Sequence, residues 1–151
     1  MTLTAKIDHA APMSVKLASG ERGTEQTVEL MRELVIDAAE GGSVKLLRNS
    51  VLRAYAADFA EGVFDLIRLN VAFERDPRGV EYLRHPDQLI AEMAKGTARA
   101  DCDDITMLAC ALLTAAGIQA TIIVVARQHA GPWEHVLAGY RQVDGQVVPL
   151  D

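Results

Sequence analysis

The sequence predicts an α+β domain: N-terminal helices and a central Cys-bearing helix packed on a small antiparallel sheet. Three observations carry this. Apolar residues recur at helical spacing between residues 24 and 73, and an almost wholly apolar segment runs from Ile105 to Ala116. After Gly117, β-branched residues dominate and an Asp144-Gly145 pair supplies a hairpin turn. A chain of 151 residues is long enough to bury one core and favours one domain over two. With 50% apolar and 24% charged residues, the composition is that of an ordinary globular protein rather than a disordered or fibrous one.

Residues 1–23 carry scattered polar residues with Gly20 and Gly23, and are expected to form an extended or loosely packed arm ahead of a single domain over 24–151. Thr24 is the expected N-cap of a first helix, whose Val28, Met31, Val35 and Ala38 share a face until Gly41-Gly42 stops it. Ser43 is expected to cap a second helix through Val44, Leu47, Val51 and Tyr55. A third helix runs from about Gly62 to Phe73 through Val63, Leu66, Ile67 and Val71.

"ERDPRGVEYLRHPDQ" then breaks the helical pattern. Asp76-Pro77 and Arg78-Gly79 are turn chemistry, and His85 precedes a proline, so this stretch is expected to cross the surface. The helix over Ile105–Ala116 is apolar nearly all round and belongs at the centre, with Gly117 as its C-terminal cap. "IQATIIVVARQ" reads as a strand buried on both faces, followed by strands in "HVLAGYRQV" and "QVVPLD".

A net charge of −6, with no basic block, gives no attraction to polyphosphate, so nucleic acid is not an expected partner. No apolar run reaches the roughly 18 residues that cross a bilayer, and the N-terminus lacks the apolar core of a secretory signal. The expected location is intracellular. Cys102 and Cys110 lie eight residues apart in one helix, roughly 12 Å of rise, too far for a disulfide.

"ADCDDITMLAC" carries the chemistry. A cysteine in the first turn of a helix feels the positive end of the helix dipole, which favours thiolate and is expected to lower the Cys102 pKa. Cys110, mid-helix among apolar residues, is expected to be inert. The flanking Asp101, Asp103 and Asp104 oppose the dipole. That conflict is relieved if Asp101 caps the helix while Asp103 and Asp104 bond backbone N–H groups or a neighbouring arginine.

A thiolate nucleophile needs an imidazole to hold it and an acceptor to fix the imidazole tautomer. Of His9, His85, His129 and His135, the last starts the strand "HVLAGY", a rigid element able to pass the helix mouth; His9 and His85 read as surface residues. Asp151 ends the neighbouring strand and is the expected third member. No paired Cys-x-x-Cys or His-x-x-x-His occurs, so neither a metal nor another cofactor is expected.

"DCDDITMLACALLTAAGIQA", "HVLAGY" and "VPLD" together resemble, in order, the nucleophile, His and Asp motifs of the transglutaminase-like superfamily. They cover residues 101–151, and "FERDPRGVEYLRHPDQLI" is similar to the preceding segment in a phage- and prophage-associated branch. The resemblance implies a papain-like fold and a cysteine-dependent amide hydrolase or acyltransferase. Cys102 would be the nucleophile, His135 the general base and acid, and Asp151 the orienter. Its substrates would be peptides or proteins, and its setting a bacterial cytoplasm or a virion with phage structural proteins as partners. The other class of function it implies is a triad-idle module for binding or virion assembly. The oxyanion would be held by the Cys102 backbone N–H and an upstream donor. Gln88, Asp103 and Trp133 are the candidates for oxyanion or substrate binding, with Arg99 a further donor.

Overall fold

In the computed structural model, which describes residues 13–15, 21–77, 81–126 and 133–150, the chain is α+β. A short strand β1 (Met13–Val15) precedes helix α1 (Glu21–Glu40). The helix therefore begins three residues before Thr24, and the Thr27 hydroxyl turns back to donate to the Gly23 carbonyl at 3.1 Å. Helix α2 (Gly42–Ala54) is capped by Gly41 without a side-chain bond; Ser43 lies inside the first turn and is not the cap. Helix α3 (Phe59–Asn70) starts earlier than its apolar pattern suggests, because Asp58 accepts the Glu61 N–H at 3.0 Å and fixes the first turn.

Of the expected surface crossing, Glu74 and Arg75 are exposed and lie outside any helix or strand, whereas the later part is structured. After β2 (Ala72–Phe73) and β3 (Glu81–Leu83), helix α4 runs from Pro86 to Lys95. Proline breaks a helix interior but suits its first position, where no intrahelical N–H bond is due, and the extended φ,ψ of His85 (−61°, 138°) is what a following proline requires. His85 is not a surface residue: only 1% of it is exposed. Its Nδ1 accepts the Asp87 N–H at 3.2 Å, so Nε2 carries the proton and donates to Asp37 Oδ2 at 3.0 Å, tying α4 to α1.

Strand β4 (Arg99–Ala100) leads into α5 (Cys102–Ala115), whose Met107, Leu108, Ala111, Leu112 and Leu113 are fully buried. Met31, Leu34 and Ala38 of α1, Val44 of α2 and Val63 of α3 pack in the same core. Gly117 adopts φ +78°, its N–H bonds the Thr114 carbonyl at 2.9 Å, and the Ile118 N–H bonds Leu113 at 3.0 Å. Only glycine takes that left-handed position without steric cost. Gly117→Ala is expected to lose about 1 kcal/mol in a urea titration, with no change in the slope of the transition.

Strands β5 (Ala120–Ala126), β6 (Trp133–Arg141) and β7 (Val147–Leu150) form an antiparallel sheet in that order. Val136 and Ala138 of β6 pack into the core with α5. β5 lies at the sheet's edge and is not buried on both faces; its residues are half-buried and Val125 is 40% exposed. The Asp144-Gly145 turn joins β6 to β7, with Gly145 at φ +88° and the Asp144 carboxylate accepting the Gln146 N–H at 2.9 Å. Two smaller pairs complete the fold, β1 with β3 antiparallel and β2 with β4 parallel.

Candidate active site

Cys102 is the first residue of α5, so the sulfur is set where the core's most buried helix meets solvent. Asp101 is the N-cap and accepts the Asp104 N–H at 3.3 Å. Asp104, 3% exposed, accepts the Arg84 backbone N–H at 2.9 Å and its Nε at 2.7 Å. The same guanidinium reaches both Glu92 oxygens at 3.1 and 3.2 Å and donates to the Arg99 carbonyl. One arginine thus joins α4, α5 and β4. Of the three acids expected to build the helix mouth, Asp101 and Asp104 do so, Asp104 by serving an arginine from a distant part of the chain, whereas Asp103 does not.

Asp103 behaves differently. Its Oδ1 lies 3.8 Å from Cys102 Sγ, and its carboxyl shares a hydrogen bond with Glu81 of β3. Burial, then that bond, pushes the Asp103 carboxyl far up from the ordinary range. Burial together with the Asp104 charge raises Asp101 to about 6.

The thiol is not activated in the way the helix dipole predicts. Burial first, then the Asp103 charge, push Cys102 up to about 11, against backbone N–H groups of Val136 and of Cys102 itself that favour the thiolate. Desolvating a sulfur anion outweighs the dipole of the helix's first turn. Cys110 is 1% exposed, its Sγ lies 3.7 Å from the Thr121 carbonyl, and burial pushes it up to about 12, as an inert core thiol requires. Both cysteines are free thiols.

His135 lies on β6 opposite Val125, at the point where a β-bulge shifts the register to pair Ala126 with Trp133. Such bulges re-aim side chains beside functional clefts. Its neighbours Val136 and Ala138 face the core, whereas His135 itself is exposed. Cys102 and His135 line three cavities together. One, about 350 Å3, is walled by α1 residues such as Thr27 and Met31 and by the carboxyls of Glu81, Asp101, Asp103 and Glu134. A second, about 200 Å3, is apolar, with Phe64, Ile67, Phe73, Ile105 and Leu150. A third, about 640 Å3, opens past Arg75, Asp76 and Val125.

The remaining expected site residues are placed as follows. Asp151 lies outside the described residues, as does the Trp133 side chain, whose backbone starts β6. Gln88 sits in the first turn of α4 and is not among the residues lining the three cavities. Arg99 pairs with Glu74 at 2.9 Å on the surface and does not line them either. Glu81 and Glu134, which line a cavity with Cys102, and the Val136 N–H, which favours its thiolate, are marked by no sequence pattern; a backbone donor has no residue type to give it away. Among the described residues, no three His, Cys, Asp or Glu side chains are grouped to hold a metal ion, and no helix is long and apolar enough to cross a membrane. No family model, curated protein or solved structure matches the chain.

Proposed function

We propose that the chain is a cysteine-dependent amide hydrolase or acyltransferase acting on peptides through a thioester intermediate. One observation carries the reading: Cys102 and His135, 33 positions apart in the sequence, open onto the same three cavities at the mouth of a buried helix. In the reaction, the Cys102 sulfur attacks the amide carbonyl while His135 takes the thiol proton and returns it to the leaving amine. Water or a second amine then releases the acyl group. The Cys102 and Val136 backbone N–H groups stand beside the sulfur and favour the attacking thiolate. Asp151 is the proposed orienter of the imidazole. The apolar cavity of about 200 Å3 is of a size for one apolar side chain of the acyl donor.

A second reading is favoured by the thiol itself, which burial and Asp103 push up to about 11. On this reading the triad is idle and the domain serves in binding or virion assembly, with phage structural proteins as partners. Alkylation by iodoacetamide at pH 7, followed by peptide mass analysis, separates the two. On the catalytic reading Cys102 reacts at least about a hundredfold faster than Cys110, and His135→Ala slows it about tenfold or more. Equal slow rates at both thiols, unchanged in the variant, support the idle module.

A further inference from the structure

We propose that Ala109 and Phe73 set the acyl-donor specificity of this site: Ala109 closes the far end of the apolar slot beside the Cys102 sulfur, Phe73 forms its rim, and together they select a phenylalanine-like side chain. The inference rests on Cys102 being the reactive thiol, and deepens that reading by naming the group its substrate carries.

The slot follows one face of α5. Cys102, Ile105, Thr106 and Ala109, spaced i, i+3, i+4 and i+7, all line it, so it extends from the sulfur two turns along the helix, about 10 Å. Ala109 is 3% exposed and ends in one methyl group, which leaves space that a longer side chain would fill. Phe64 and Ile67 of α3 supply further apolar wall. Phe73 stands where the slot meets the wider cavity of about 640 Å3, since it lines both, as do Cys102 and His135. Its ring, on β2, is 59% exposed. An aromatic ring left in water beside a nucleophile is apolar surface that a bound group can cover.

Volume and chemistry choose the occupant. An apolar cavity of about 150 Å3 takes up benzene. The slot holds about 200 Å3, room for a ring and the methylene that tethers it. Among the described residues that line it there is no carboxylate, whereas the first cavity presents Glu81, Asp101, Asp103 and Glu134. A cationic side chain would therefore lose its hydration in the slot with no opposite charge to meet it. An anionic one would have to draw Arg68 away from Asp65, with which it pairs at 3.0 Å. Because Cys102 and His135 line the slot, the buried ring and the attacked carbonyl are only a few bonds apart in the substrate.

Alkylation of Cys102 by N-substituted iodoacetamides tests this on the full chain at pH 9, with each rate divided by that of the same reagent with glutathione and thermal melts verifying the fold. N-Benzyl iodoacetamide should outpace N-methyl iodoacetamide at least about tenfold, as filling an apolar pocket does. The N-diphenylmethyl reagent, too wide for the slot, should fall behind N-benzyl at least about fivefold. In Ala109→Leu the benzyl-to-methyl ratio should drop to about two or less, because the new side chain occupies the slot. A wild-type ratio near one, a diphenylmethyl reagent as fast as benzyl, or a folded Ala109→Leu that keeps the wild-type ratio overturns the proposal. If Ala109→Leu does not fold, Phe73→Ser decides: the residue lies outside the buried core, its loss should lower the ratio at least about threefold, and an unchanged ratio overturns the proposal. The result is separable from the catalytic reading: His135→Ala slows unsubstituted iodoacetamide if the imidazole activates the thiol, whatever ratio the N-substituents give.

Discussion

Arg84→Met is expected to destabilise the fold by about 3–5 kcal/mol, the usual consequence of removing one member of a buried ion pair. The guanidinium is only 17% exposed and Asp104 only 3%, and the pair meets at 2.7 Å. With Arg84 gone, Asp104 keeps its backbone bond from residue 84 but loses its cation, leaving a carboxylate in the core that water cannot reach. Burial already pushes the Asp104 carboxyl up even with the guanidinium present, which shows how little margin the charge has. The loss should therefore shrink as pH falls and the carboxyl takes up a proton. The double variant Arg84→Met/Asp104→Asn should recover a large part of it, because no orphaned charge remains. Urea titrations of the three proteins at pH 5 and pH 8 check both statements.

Asp101→Asn should act in the opposite direction, raising stability at pH 7.5 by about 1–3 kcal/mol. Asparagine caps a helix as well as aspartate, so the bond to the Asp104 N–H survives while the buried charge does not. The sign follows from linkage. The folded carboxyl binds its proton more tightly, at about 6 against its ordinary 3.8, so the native state holds more protons than the unfolded chain across that interval. The contribution favours folding fully below about pH 4 and is lost as pH rises through 6. Wild-type melting temperature should accordingly fall over that range, and in Asp101→Asn this part of the slope should flatten. Asp103, raised in the same sense, extends the decline to higher pH.

The helices were legible wherever one face was apolar and the ends carried local signals. Gly117 and the Asp144-Gly145 turn lie where glycine's left-handed φ is required, a property visible in residue type alone. α4 lies hidden in the sequence because Pro86 disfavours helix at the preceding His85, whereas proline at a helix start is as favourable as it is damaging inside. β2, β3 and β4 have two or three residues each, too few for an alternation to show. At the site, the cap formed by Asp101 was readable from its place before an apolar run. The thiol's protonation was not, because it depends on burial and on the Val136 N–H, which reach Cys102 only through the fold. Asp104's partner Arg84 is 20 positions away, so only the need for an arginine could be anticipated.

The burial of α5 along nearly its whole length bears on motion. A segment locked on every side by side chains opens to solvent only when the entire domain does, so its amides should exchange with deuterium at the slowest rate in the chain. The sulfur at its tip has no hinge of its own. Any adjustment that admits or expels a bound molecule must come from the opposite bank, where the bulge beside His135 interrupts the sheet's regular pairing.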